Sequence, residues 1–326
     1  MRELRLWLAP RSGLVLAIAL FLAMFTLYIA NHPAGLTVNV ATTAANKGVL
    51  LALIAMAQTL PVLTGGLDLS VGMMFILCNC LASHIIVGSA GEIALGLLAV
   101  LAAGLAAGAV NGAIVVFGRL QPIITTLATG AVYYGLALWL RPVPGGQVDE
   151  DLANVMTYTI LDTIPTSLVL LAVVALVVWL PFRLSILGRA CYAVGSAEGA
   201  AYMSGVPIQR AKLLAYALAG LLAAIAGILL TFVTFSGEAS APAGGTYTLN
   251  SIASVVIGGT SLYGGAGSAI GSIFGAFVLR TIEDLLFVFD LPPLWQPLFQ
   301  GVVLLAAVSL GAARVLRVRN RLELFG

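Results

Sequence analysis

Long apolar stretches separated by short polar intervals run the length of the chain. A helix needs about 20 apolar residues to cross roughly 30 Å of hydrocarbon. Apolar runs of about 17 to 25 residues recur here, and the strict alternation of membrane strands does not. The pattern predicts an all-α fold, a polytopic membrane bundle of about ten transmembrane helices. The expected spans are residues 13–30, 48–63, 70–88, 93–117, 122–140, 164–180, 211–235, 249–263, 267–289 and 294–313. The first lacks a small-residue cleavage site and reads as an anchor. The eighth is short and polar, with Asn250, Ser251, Ser254, Gly258 and Gly259, and reads as a broken or partly re-entrant segment. All 326 residues read as one transmembrane domain.

Residues 188–212 are the main polar interval between two apolar blocks. They predict a short helix between two breaks. Ser196 is the expected N-cap, Glu198 complements the helix dipole in the first turn, and Ala200, Ala201 and Met203 carry about two turns. Gly205 and Pro207 then stop it, and Pro207 opens the next helix. Two turns are unstable alone in water, so the segment needs a surface to rest on, unless it is a plain connecting loop.

Composition sharpens the class. Hydrophobic residues make up 61% and charged residues 9%, where soluble proteins carry about 25% charged, and the mean hydropathy is +1.09. The net charge of +2 says little, but the placement of the charges sets a topology. With the N-terminus inside, ten spans put Arg2, Arg5, Arg11, Arg119, Arg183, Arg189, Arg210, Lys212, Arg314, Arg317, Arg319 and Arg321 in the cytoplasm. Only Lys47 and Arg141 fall outside, with Arg280 inside a span. The long outer loop, 141–163, carries Asp149, Glu150, Asp151 and Asp162. Both termini are then cytoplasmic. Cys78, Cys80 and Cys191 suit reduced, buried positions, and neither His32 nor His84 has a catalytic partner at useful spacing.

Two spans carry glycine every fourth residue, Gly104, Gly108 and Gly112 in the fourth and Gly267, Gly271 and Gly275 in the ninth, which gives each a flat face for close helix contact. The string Gly65-Gly66-Leu67-Asp68-Leu69-Ser70-Val71-Gly72 joins the second and third spans. Its glycines allow a tight turn, and Asp68 or Ser70 can cap the third helix. The glycine-rich stretch 258–267 lacks the Lys-Ser or Lys-Thr of a phosphate-binding loop and reads as a helix break, so ATP hydrolysis must come from elsewhere. Arg280, Glu283 and Asp284 stand at i, i+3 and i+4 in the ninth span, either a functional cluster or a set that neutralises its own burial.

The 65–72 string resembles the hallmark of permease subunits of monosaccharide ABC importers, the ribose, xylose, arabinose and galactoside permease family. Asn111-Gly112, residues 121–127, Gly188-Arg189 with the segment through Gly205, residues 219–227 and residues 257–267 are similar to that family in the same order. The resemblance implies a type II ABC importer permease-like fold in the bacterial inner membrane. It makes residues 183–211 the segment that docks on the ATPase, with Ser196, Glu198, Ala200, Ala201, Ser204 and Gly205 at the contact. It further implies a cytoplasmic ABC ATPase subunit that holds ATP and Mg, a periplasmic sugar-binding protein and a second permease chain, with no cofactor on this chain. Three places depart from the family: Gly195-Ser196-Ala197, Thr248-Leu249-Asn250 and the region 281–284. They bear on which sugar is carried.

Asn79, Asn111, Thr125, Thr126 and Tyr133, with Thr129 and Tyr134, are the expected pathway lining, and hydroxyls, amides and rings suit a neutral, hydroxyl-rich solute moved by alternating access. An ion-driven secondary transporter needs buried carboxylates or histidines, which outside the ninth span are missing. A membrane enzyme needs clustered nucleophiles, acids or metal ligands. Nothing in the chain points to nucleic acid.

Overall fold

A computed structural model describes residues 12–299, 301, 302, 305 and 309. Arg2, Arg5, Arg11, Arg314, Arg317, Arg319, Arg321 and much of the tenth expected span lie outside the described residues.

Local signals start most helices. Helix α1 (Ser12–Asn31) follows the first apolar run. Helix α2 (Val38–Leu63) begins where the Thr37 hydroxyl accepts from the Val40 N–H at 3.3 Å, ten residues before hydropathy alone predicts. Helix α3 is Val71–Ile85. A reciprocal cap between Ser89 and Glu92 opens α4 (Ala90–Phe117), and Pro122 in the first turn opens α5 (Pro122–Leu140). The next loop folds into α6 (Glu150–Thr157), capped by Asp149, and a small hairpin of β1 (Thr159–Ile160) and β2 (Ile164–Pro165). Then α7 (Thr166–Val174) runs through a π turn, Ala175–Trp179, into α8 (Leu180–Leu184). Beyond these lie α9 (Ile186–Ser196), α10 (Glu198–Met203), α11 (Ile208–Thr234), α12 (Ala241–Ile257) and α13 (Ala269–Val288).

The chain is an all-α membrane bundle, but the count of ten spans is not confirmed among the described residues. Among the described residues six stretches are long and apolar enough to cross: α1, α2, α4, α5, the composite Thr166–Leu184, and α11. At about 1.5 Å per residue, the 15 residues of α3 cover only about 22 Å, and α12 has 17 residues. Helix α13 has the length but contains Arg280, Glu283 and Asp284. The eighth span is a continuous helix that starts at Ala241 and ends before the turn Gly258-Gly259, where Gly259 adopts φ +82°. Its polar residues are accommodated because Thr248, Ser251 and Ser254 donate to the helix's own carbonyls at 3.0, 2.7 and 2.7 Å.

Helices α2 and α11 form the centre. Their most apolar windows are 67% and 61% buried, against 11% for α1 and 28% for α4 and α5, so the latter present their sides to lipid. The glycine repeats set the closest approaches. A β-carbon on Gly220 of α11 would run into the Gly104 carbonyl of α4, and one on Gly108 would meet the Tyr216 carbonyl, which fixes α4 antiparallel to α11. Gly271 meets Gly258, and Gly275 meets Ser254, so α13 lies antiparallel to α12. Thr59 and Ser272 share a hydroxyl hydrogen bond of 2.7 Å, and Gly48 lies against Phe277, which sets α2 antiparallel to α13.

Candidate functional site

These directions gather the loops at two ends of the bundle. At one end the Gly265 N–H donates to the Leu63 carbonyl at 3.1 Å, the Tyr192 hydroxyl to the Gly267 carbonyl at 2.9 Å, and Gly195 fits against both turns with no room for a side chain. At the other end Gly145 pairs with Gly237, the Arg141 guanidinium donates to Ser83 Oγ and O at 3.0 and 2.8 Å, and Asn46 donates to the Thr157 carbonyl at 2.8 Å. This partition agrees with the two sets of loops expected from the basic residues.

The turn 64–70 is a buried polar knot. Contrary to the expectation that no carboxylate is buried outside the ninth span, Asp68 is fully buried, and its Oδ1 accepts from the Ser70 N–H at 2.8 Å and the Ser70 hydroxyl at 2.6 Å. The Asn111 amide donates to Ser70 Oγ at 2.7 Å, and Asn111 Oδ1 accepts from the Tyr133 hydroxyl at 3.0 Å. Thr126 Oγ1 accepts from the Leu69 N–H at 2.9 Å. Gly72 donates to Thr248 Oγ1 at 3.1 Å, and a β-carbon there would meet the Gly244 carbonyl. Gly65, at φ +79°, makes the turn, and Gly66 leaves room for the Tyr216 hydroxyl. Six helices, α2, α3, α4, α5, α11 and α12, thus converge on one motif. Ser70 precedes α3 but makes no side-chain cap bond, because Asp68 and Asn111 occupy its hydroxyl. The capping expectation for Asp68 and Ser70 is therefore replaced by an interhelical role.

Of the expected pathway residues, Asn79, Asn111, Thr125, Thr126 and Tyr133 are all buried within the chain. Asn79 donates to Thr231 Oγ1 at 2.9 Å and the Ser236 carbonyl at 3.1 Å and accepts from the Glu238 N–H at 3.0 Å, bracing α3 to the turn after α11. The Thr125 hydroxyl has no partner among the described residues.

The 188–212 interval folds as two helices rather than one. Ser185 caps α9 by accepting from the Gly188 N–H at 2.9 Å. Ser196 is the last residue of α9 and donates back to the Tyr192 carbonyl at 2.8 Å, so it does not cap the next helix; Ala197 takes that position without a side-chain bond. Ala200, Ser204 and Gly205 are exposed, as are Tyr202 at 73% and Met203 at 84%, while Ala201 is buried and anchors α10. Glu198 stands in the first turn, as its dipole role requires, and pairs with Lys212. Gly205 turns the chain at φ +73°, and Pro207 caps α11 rather than opening it. Cys191 donates to the Ala211 carbonyl, and burial pushes its thiol up to about 12.

Sequence reasoning passed over Gln58 and gave Lys47 no role beyond topology. With its amide oxygen toward the Asp68 N–H, Gln58 brackets the Asp68 backbone at 3.2 and 2.8 Å, and a lone amide in the apolar run 48–63 was the available signal. Lys47 approaches Asp284 at 3.8 Å, joining Arg280, which pairs with Glu283 and lies 3.9 Å from Asp284.

Comparison with known proteins agrees with this geometry. A family profile described as "Branched-chain amino acid transport system / permease component" matches residues 40–308. The ribose import permease protein of Escherichia coli (strain K12) is 33% identical over 306 residues, 93% of each chain. That of Bacillus subtilis (strain 168) is 34% identical over 261 residues, 79% of this chain and 80% of its own. The autoinducer 2 import system permease protein of Enterobacter sp. (strain 638) is 33% identical over 295 residues, 89% of this chain and 83% of its own. No solved structure matches the chain. A membrane bundle with an exposed helical segment at one end, matched over most of its length, belongs to this permease family, and the chain is the transport subunit of an ABC importer rather than an enzyme.

Proposed function

We propose that the chain, as a single domain in the bacterial inner membrane, admits a neutral monosaccharide or similar polyhydroxylated solute by alternating access. The observation that carries this reading is the projection of α10 from one end of the bundle, with Tyr202 and Met203 exposed beside Glu198. Exposed apolar side chains on a polar-flanked segment mark a protein contact, and a short helix fits a groove. That groove belongs to a cytoplasmic ABC ATPase, which holds ATP and Mg; Ser196, Glu198, Ala200, Ala201, Ser204 and Gly205 form or shape the contact. Both termini are then cytoplasmic, and the opposite end, with α6 and its acidic first turn, receives a periplasmic binding protein.

Sugar is favoured over amino acid because the relatives matched over most of their length are named for ribose and autoinducer 2 import. A second permease chain completes the pathway. Asn79, Asn111, Thr126 and Tyr133 hold the helices that flank it, and the unpartnered Thr125 hydroxyl is the candidate contact for a solute hydroxyl. Membership of this family sets aside the ion-driven alternative. The test is uptake of labelled monosaccharides into vesicles holding this chain, its ATPase and its binding protein. Uptake should require ATP and survive a protonophore; uptake without ATP that collapses with the protonophore would overturn the reading.

A further inference from the structure

At the end away from α10, the first turns of α2, the last turn of α1 and the second half of α13 surround a cavity of about 670 Å³. Tyr28 and Phe287 give it aromatic walls, and Asn39, Lys47, Arg280 and Asp284 give it donors and acceptors. The charges are largely neutralised in place: Arg280 pairs with Glu283, which Gln296 also hydrogen-bonds, and Lys47 approaches Asp284. One donor is left over. Arg280 Nε is buried and has no partner among the described residues.

We propose that this cavity is a low-affinity receiving site for a neutral polyhydroxylated solute on the outer face, which extends the transport reading and rests on it. Paired carboxylates and cations offer acceptors and donors side by side, the arrangement that vicinal hydroxyls satisfy together, while rings cover the apolar faces of a sugar. An anionic ligand finds no unmatched counter-charge on the inner wall, because Lys47 and Arg280 already face carboxylates there. The volume is ample for a monosaccharide with water around it. A cavity open to bulk, with Lys47 about half exposed at its side, gives weak and rapidly reversible binding, which a receiving site needs.

The experiment measures binding of tritiated D-ribose, D-galactose and L-leucine to the full chain in nanodiscs, without ATPase or binding protein, alongside uptake by the complete system. At least one of the two sugars should bind saturably at millimolar concentration, and leucine should not. Arg280→Gln should weaken sugar binding about tenfold or more, equivalent to about 1.4 kcal/mol. Since Arg280→Gln also breaks an ion pair and can fail to fold, Ala44→Trp, which fills the cavity and leaves the pairs intact, should abolish binding. In Asn39→Cys the same sugar should slow maleimide labelling several-fold. Absence of saturable sugar binding, binding unchanged by Ala44→Trp, or binding of leucine alone overturns the proposal. ATP-driven sugar uptake together with any of these results leaves the transport reading standing and removes only the cavity.

Discussion

The Lys212 ammonium lies 2.7 Å from the Glu198 carboxylate, tying the first turn of α10 to the second turn of α11 across the turn at Gly205. Glu198 is 56% exposed in its side chain, so the pair contributes no more than about 1 kcal/mol to stability. Its geometry bears on the angle at which α10 stands.

Glu198→Lys should therefore leave membrane insertion and the thermal midpoint nearly unchanged, while substrate-stimulated ATP hydrolysis and transport fall at least tenfold. The swap Glu198→Lys with Lys212→Glu separates two roles. Recovery of transport assigns Glu198 to orienting α10; continued loss assigns its carboxylate to the partner contact. Normal transport by the single variant would remove the segment from coupling.

Asp68→Ala strips the acceptor from the Ser70 hydroxyl and N–H at a fully buried site. Leaving buried donors unsatisfied costs about 1–3 kcal/mol each. Thermal denaturation in detergent should show a drop of several degrees, and Tyr133→Phe, which removes one terminal bond of the same network, a smaller one. Equal midpoints for wild type and Asp68→Ala would contradict the network.

Gly220→Val should disrupt the α4–α11 contact, because its side chain meets the Gly104 carbonyl and Gly108 backbone. Overpacking of this kind costs about 1–3 kcal/mol or more. Gly135→Val on α5, where a β-carbon meets open space, is the matched control and should express normally. Yields from membranes, followed by size-exclusion profiles, distinguish the two.

Orientation can be read from thiol labelling. Asp151 and Gly199 are exposed at opposite ends, whereas Cys78, Cys80 and Cys191 are buried. The Cys191 thiol, pushed up to about 12 by burial, holds almost no thiolate near pH 7, and that fraction grows only as pH rises toward 12. Native cysteines should stay silent. A cysteine at Asp151 should react with an impermeant reagent in intact cells and one at Gly199 only after the membrane is opened. Reaction of both from outside would end the proposed topology.

Hydropathy located the helices well where apolar residues face lipid, as in α1, α4 and α5, because there composition and environment coincide. It failed at α2, whose first ten residues mix Asn, Thr and Lys with Val and Ala yet are helical: Thr37 starts the helix, and Lys47 near Asp284 gives its polar side a partner. It also misjudged α12, whose serines and threonines satisfy their own hydroxyl protons on the helix's carbonyls and so stay helical in apolar surroundings. The Asp68 motif was visible as a string, but its meaning was not. Capping is a local property that spacing reveals, while the bonds from Asn111 and Thr126 depend on contacts 41 and 57 residues away in sequence. The split of residues 188–212 into two helices turned on Ser196 bonding backward to Tyr192, a choice between local partners that sequence leaves open.

The meeting of Leu63, Gly195 and Gly265 is made of main chain, with glycines at the contact and a backbone bond across it. Such a joint has no side-chain slack to absorb a push. If a nucleotide-driven stroke moves α9, as the proposed coupling requires, the end of α2 and the entrance to α13 move with it, like three spokes pinned at one hub. The stroke then reaches Thr59 and Ser272 deep in the bundle through helix axes rather than through a relay of side chains. The chemistry of the cargo can therefore diverge along the pathway while the drive train stays the same.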